Sequence, residues 1–137
     1  MAEQELMTDA DIHAFGVEIV HNQLVEAGWT PDSVDIENDR AKVPQITAAR
    51  DDEYAIFVVR TGLHPEPGRI EGEDTFRHFC RLAAEMKASC YFASVSIANS
   101  TAATDEEMSV PVKGVAYHVA FDGLVKMELP PEEAAAV

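Results

Sequence analysis

The stretch most suggestive of chemistry is residues 43–62, VPQITAARDDEYAIFVVRTG, in which Arg60 follows an apolar run. Arginine stays protonated at neutral pH, so Arg60 cannot act as a base, but its planar guanidinium suits a carboxylate or a phosphate. With Thr61 and Gln45 beside it, Arg60 could anchor an anionic ligand. Charges near a core are usually paired, however, so Arg60 could instead form a salt bridge with Glu18 or Glu37.

The elements that must position these residues follow from the hydrophobic pattern. Apolar side chains at helical spacing predict helices over residues 8–28 and 73–89. Alternating or β-branched runs predict strands over residues 33–37, 44–49, 54–61, 90–98, 112–121 and 124–129. Up to residue 121 this order is α-β-β-β-α-β-β, and one further strand follows. It predicts an α/β fold with a mixed central sheet flanked by two helices.

Local signals predict the ends of these elements and their connections. Thr8 and Asp11 form a capping-box-like start for the first helix, and Gly28 ends it. Thr30-Pro31-Asp32 is predicted to be a turn, and residues 50–53 to close a hairpin between the second and third strands. Residues 62–72, GLHPEPGRIEG, are predicted to form a loop that could act as a lid, and residues 99–109 a long polar loop. Asp122-Gly123 predicts a hairpin that pairs the last two strands.

The order of elements over residues 8–98 resembles the restriction-endonuclease-like superfamily, the PD-(D/E)xK nucleases. That resemblance implies two strand acids and a helix glutamate that hold a divalent ion, and a lysine that positions the attacking water. Pro44-Gln45 falls at Pro-Asp, Val58-Val59-Arg60 falls at Glu-x-Lys, and Glu18 falls at the helix glutamate. The candidate pseudo-active site is therefore Glu18, Gln45, Val58, Arg60 and Thr61, with both strand carboxylates absent. The chain also resembles a small family of uncharacterised single-domain bacterial proteins that share the FVVRT and CYFASVSIAN strands.

The charge of the whole chain limits its partners. The sequence has 25 Asp and Glu against 10 Lys and Arg, a net charge of −15. Such a surface repels phosphate backbones and anionic lipid, so neither nucleic acid nor membrane is expected as a partner. The charge fits either a basic partner or adaptation to a salty cytosol, and the scattered acids favour salt adaptation. A polar, acidic N-terminus and the lack of a long apolar run indicate a cytoplasmic protein.

Other groups give weaker signals. The cysteines, Cys80 and Cys90, lack metal-type spacing and are expected to be reduced thiols. The histidines at 13, 21, 64 and 118 are scattered, and neither a metal nor a cofactor is expected. The chain is expected to be one domain over residues 8–129, with disordered ends at 1–7 and 130–137.

Three classes of function remain open. The first is a non-catalytic interaction domain with a nuclease-like frame, which binds a protein partner or forms a homodimer through a sheet edge or the 124–129 segment. The second is a metal-dependent phosphodiesterase or nuclease with rearranged ligands. The third is a small-anion-binding protein centred on Arg60.

Overall fold

The computed structural model describes residues 5–121 and 123–129. Its helices are α1 (Asp9–Glu26), α2 (Glu73–Met86) and the short α3 (Asp105–Met108). Its strands are β1 (Thr30–Val34), β2 (Ile46–Arg50), β3 (Glu53–Leu63), β4 (Ser89–Asn99), β5 (Tyr117–Ala120) and β6 (Leu124–Lys126). The chain is thus a mixed α/β protein, as its element order predicts.

One six-stranded sheet organises the molecule, in the order β1-β2-β3-β4-β5, with β6 also paired to β4. The first three strands form an antiparallel meander. Strands β3 and β4 are parallel, so the chain must cross between them, and α2 with the 64–72 loop makes that connection. The sheet is therefore mixed, as predicted.

The two long helices lie on opposite faces of this sheet. Side chains alternate along β3, so that Phe57 and Val59 belong to the core under α1, whereas Ile56 and Val58 belong to the core under α2. We call these the α1 face and the α2 face. Both faces of β3 are buried over residues 55–60, which explains the uninterrupted apolar sequence from Ala55 to Val59.

The start of α1 confirms its predicted cap. The Thr8 side chain accepts a hydrogen bond from the backbone of Asp11, and the Asp11 side chain accepts one from the backbone of Thr8. At the other end, Trp29 N donates to Leu24 O, and its side chain folds back into the core.

The predicted turn at Thr30-Pro31-Asp32 is wrong, because these residues begin β1. Proline lacks an N–H but is tolerated at a sheet edge, and the register with β2 shifts between Pro31 and Ser33. Strand β1 consequently ends at Val34, three residues before the predicted end of that strand.

The predicted hairpin between the last two strands is also wrong. Strands β5 and β6 do not pair with each other; both run antiparallel to β4 along its free side. The register passes from Ala120 opposite Ser96 to Leu124 opposite Ala93, so the outer strand has one residue more than β4 over this interval. Gly123 has φ +103°, and Asp122 lies outside the described residues. Gly123 therefore lies at a register irregularity between β5 and β6, and the chain does not reverse its direction there.

Two further segments differ from prediction. The polar loop at 99–109 contains α3, which Thr104 caps by accepting from Glu107 N. Residues 5–7, within the N-terminal segment expected to be disordered, run beside residues 111–113, and Leu6 forms a bridge with Val112. Residues 1–4 and 130–137, which complete the two ends expected to be disordered, lie outside the described part of the chain.

Candidate functional site

The sheet separates the five predicted site residues. Gln45 and Arg60 are in contact, at 3.0 Å between Oε1 and Nη1, and Val58 lies in the core of the same α2 face. Thr61 points to the α1 face, where it meets Gly16 of α1. Glu18 is exposed on α1. The structure therefore brings together Gln45 and Arg60, with Val58 beside them as an apolar core residue.

The Arg60 guanidinium is buried, with 3% of the residue exposed, and every one of its five N–H groups has an acceptor. Nε and Nη2 donate to the two carboxylate oxygens of Glu71, each at 2.6 Å. Nη2 also donates to Arg40 O, at 2.5 Å. Nη1 donates to Gln45 Oε1, at 3.0 Å, and to Val59 O, at 2.8 Å. Arg60 thus has no free donor to offer to another molecule.

The predicted partners of Arg60 are corrected by this geometry. The salt bridge is formed with Glu71, rather than with Glu18 or Glu37. Hydrogen bonds from Arg60 hold the pKa of the Glu71 carboxyl below its usual value, although burial acts in the opposite direction. Glu71 lies in the Gly/Pro-rich loop, whose path cannot be read from periodicity, and this is why the sequence pointed to acids on regular elements instead.

Gln45 completes the same network as a neutral group. Its Oε1 accepts from Val59 N, at 2.8 Å, as well as from Arg60. Its Nε2 donates to Val43 O, at 2.9 Å. The amide supplies an acceptor and donors at one point, whereas a carboxylate could only accept. Gln45 therefore links the backbone before β2 to that of β3.

The 64–72 loop is held onto the sheet beside this network. Ser94 Oγ donates to Gly68 O, at 2.8 Å, and Ser96 Oγ donates to Glu66 O, at 3.0 Å. A Cβ added at Gly68 would lie 1.9 Å from Arg60 O, so only glycine allows this approach. The two β4 serines thus bond to the loop, and together with the Arg60–Glu71 pair they fix it in place. In this structure the loop is anchored rather than held as an open lid.

Two buried polar atoms lack a hydrogen-bond partner within the described structure, His13 Nδ1 and Thr61 Oγ1. His13 is 3% exposed, and burial lowers its pKa to about 4, with further lowering by the positive charges of Arg40 and Arg60. Arg40 itself pairs with Asp9, at 3.1 Å. His13 could not be distinguished from the other histidines by its sequence context, because its burial depends on how α1 packs.

Residues 10–127 match the family described as Domain of unknown function (DUF8840). The chain belongs to this family. A comparison with curated proteins gave no match.

The chemistry available to this DUF8840 domain at Arg60 is limited by the contacts already made. Neither Arg60 nor Gln45 can take up a proton at neutral pH. An anion could bind Arg60 only by displacing the Glu71 carboxylate. Within the described residues, no three His, Cys, Asp or Glu side chains are grouped so that they could hold a metal ion.

The DUF8840 domain also has a surface groove with both of its cysteines beside it. A groove of about 560 Å³ lies between the end of α2 and β6, and its walls include Ala83, Ala84, Met127 and Leu129. Both thiols, Cys80 and Cys90, are free and buried beside it, as expected for reduced cysteines. No helix in the described part of the chain combines the length and apolar character needed to cross a bilayer.

Proposed function

We propose that this domain is a non-catalytic interaction domain that has a nuclease-like frame without the metal-binding acids. The observation that carries the proposal is the saturated Arg60 network. Where the resemblance implies an open acidic site, this chain has a buried arginine whose five donors are all used. A site of this kind stabilises the fold and leaves nothing to bind or activate a substrate.

The arrangement of elements supports the nuclease-like part of the proposal. A helix precedes an antiparallel meander, and a crossing helix then leads to a strand parallel to β3. Gln45 lies directly before β2 and Arg60 lies near the end of β3, where the resemblance implies Asp and Lys. The agreement covers the order of elements and the position of these two residues.

The alternative, a metal-dependent phosphodiesterase with rearranged ligands, rests on Glu71. This acid is close to the position where the resemblance implies carboxylates, and 42% of its side chain is exposed. A divalent ion would have to compete with Arg60 for both oxygens of Glu71. For that reason we prefer the non-catalytic function.

A magnesium and manganese titration separates these two functions. Amide NMR would follow the titration, and cleavage of short single-stranded and duplex DNA would be assayed in parallel. We expect weak shifts spread over acidic turns and no cleavage. Focused shifts at Gln45, Arg60 and Glu71 below millimolar ion, with cleavage that is lost in Glu71→Gln but kept in the matched loop variant Glu66→Gln, would refute the proposal.

The small-anion function is tested by thermal shift. A ligand that binds the folded state raises the melting temperature. Because Glu71 already fills the carboxylate position on Arg60, we expect phosphates and small carboxylates to leave the melting temperature unchanged at constant ionic strength. A rise that disappears in Arg60→Lys, but not in the exposed control Arg69→Lys, would restore the anion-binding function.

A further inference from the structure

The outer edge of β6 has unused hydrogen-bonding groups. Strand β6 pairs with β4 on one side, and no strand of the described chain covers its other side. Met127 N donates inward to Cys90 O, at 2.8 Å. Because backbone groups alternate along an antiparallel strand, Leu124 and Lys126 direct their N–H and C=O groups outward, and continued alternation past Met127 would direct those of Glu128 outward as well.

This open edge is short and apolar. At its N-terminal end it is limited by the register irregularity between β5 and β6. At its C-terminal end the sequence continues with Pro130, which has no N–H and cannot donate a hydrogen bond. Val125 is 62% exposed, more than the other large apolar side chains in the described residues. It lies on the α2 face, because it pairs with Phe92, a residue packed against the core under α2.

Residues 125–129 of this edge (VKMEL) are complementary to the same residues of a second copy that runs in the opposite direction. An antiparallel pair with a twofold axis at Met127 would set Lys126 opposite Glu128 of a second copy, twice. Both residues of that pair direct their backbone groups outward, so they could exchange hydrogen bonds. Val125 would then face Leu129 of the second copy. Within one chain Lys126 and Glu128 are 3.5 Å apart and exposed, so their charges can change partners easily.

We propose that two copies of this chain associate by antiparallel pairing of residues 125–129, the end of β6 and the three residues after it, about a twofold axis at Met127. The proposal deepens the interaction function above by naming the second copy as the partner. The pairing continues the sheet across the two copies and satisfies the outward groups of the strand. A contact of a few residues is small, so the dimer forms only at high protein concentration.

The distribution of charge favours association of two copies through the β6 edge of the sheet rather than through the β1 edge. Residues 109–129 contain two lysines, Lys113 and Lys126, against two acids, Asp122 and Glu128, in a chain of net charge −15. The opposite edge, β1, is followed by acids at 35, 37 and 39 and carries Pro31, so two copies would repel each other there. Added salt screens the repulsion between the remaining surfaces and therefore favours the dimer.

Charge reversal tests the register directly. Sedimentation equilibrium would compare the chain with Lys126→Glu, with Glu128→Lys and with the double reversal, in 0.1–2 M KCl. In 0.1 M KCl, where screening is weak, we expect each single reversal to weaken the dimer at least tenfold, because like charges then face each other. The double reversal restores the dimer. An equimolar mixture of the two single variants also restores it, because all four charges in that pair are then complementary.

The matched control is the pair Arg69 and Glu66, which are also exposed and 3.5 Å apart, but lie in the 64–72 loop. Arg69→Glu and Glu66→Lys change the net charge by the same amounts and should leave the dimer intact. A wild-type chain that stays monomeric up to about 0.5 mM in 2 M KCl would overturn the proposal. Equal weakening by the control variants, or a mixture that fails to associate, would also overturn it. A monomer that does not cleave DNA would refute the dimer alone, whereas a dimer that cleaves DNA would refute the non-catalytic function alone.

Discussion

At the scale of single residues, Arg60 shows how one buried charge can be fully accommodated. The free-energy cost of burying its charge is offset by five hydrogen-bond acceptors. These belong to the segment before β2, to β3 and to the loop before α2. Removing one partner of such a pair costs more than the pair contributes, because the remaining groups stay buried. Arg60 is therefore a structural residue whose replacement should be felt in stability.

Arg60→Lys should lower the free energy of unfolding by about 2 kcal/mol, because an ammonium has three donors and cannot bridge both oxygens of Glu71 in the same fork. Urea denaturation monitored by Trp29 fluorescence measures this. The same substitution at Arg69, whose side chain is 72% exposed, should change stability by less than about 0.5 kcal/mol. An unchanged midpoint for Arg60→Lys would contradict the structural role.

His13 should make the fold sensitive to mild acid. Its pKa is about 4 in the folded state against 6.5 when unfolded, so between these values the unfolded chain binds a proton that the folded chain does not. The contribution to stability is fully present above pH 6.5 and is lost as the pH falls to about 4. The loss approaches about 3 kcal/mol at most. The charged groups near the ring are Asp9, Asp35, Arg40, Arg60 and Glu71.

The measurement is the free energy of unfolding at intervals from pH 7 to pH 4. His13→Leu should flatten the profile between pH 6.5 and 4.5, since the titrating group is gone. His21→Leu, on the same helix but partly exposed, should keep the slope of the parent chain. Parallel profiles for the parent and His13→Leu would show that other groups cause the acid sensitivity.

At the scale of elements, the approach of α1 to β3 depends on a glycine inside the helix. A Cβ at Gly16 would lie 1.6 Å from Thr61 Oγ1 and 2.8 Å from Thr61 Cβ, so a side chain fits only if Thr61 or the helix moves. Glycine weakens a helix by about 1 kcal/mol relative to alanine, and the close packing with β3 offsets that loss. The contact fixes α1 over the end of β3.

Gly16→Ala should therefore destabilise the fold by about 2 kcal/mol or more, despite the better helix propensity of alanine. A double-mutant cycle with Thr61→Gly tests the cause. If the clash is responsible, the double variant should lose less stability than the sum of the two single variants, by about 1 kcal/mol or more. Additive losses would place the defect elsewhere.

The elements also show what the sequence could predict. The helices α1 and α2 and the strands β3 and β4 were predicted because each carries its own apolar period over many residues. The pairing of β6 with β4 was not predicted, because Asp122-Gly123 locally indicates a turn. Whether the chain reverses there or continues along β4 depends on the side of β4 that β3 leaves unpaired. The partner of Arg60 was missed for a similar reason, since Glu71 is placed by a loop without periodicity. Gln45 and Arg60 were predicted to be neighbours because both flank adjacent strands.

At the scale of the whole molecule, the net charge of −15 opposes the compact state unless ions screen it. The salt bridges in the described structure are mostly exposed pairs, which contribute little. Salt adaptation and a basic partner remain the two explanations of this charge, and they differ in what they predict for the isolated chain.

Raising KCl from 0.1 M to 2 M should increase the melting temperature by about 5 °C or more, because screening reduces repulsion among the acids. Differential scanning calorimetry would record the transition at each concentration. Sucrose at matched osmolality separates charge screening from exclusion of solute from the surface. A melting temperature that does not respond to KCl would favour a basic partner.

The irregularity between β5 and β6 has a consequence for insertions and deletions in this family. Removing Gly123 would bring the outer strand into one register with β4 from Tyr117 to Met127. The product would be a longer edge without an irregularity, on which two copies could pair in several registers. Pairing confined to residues 125–129 instead has one register in which opposite charges meet. We expect a variant that lacks Gly123 to form dimers of mixed register, which sedimentation equilibrium would detect as association that Lys126→Glu no longer weakens.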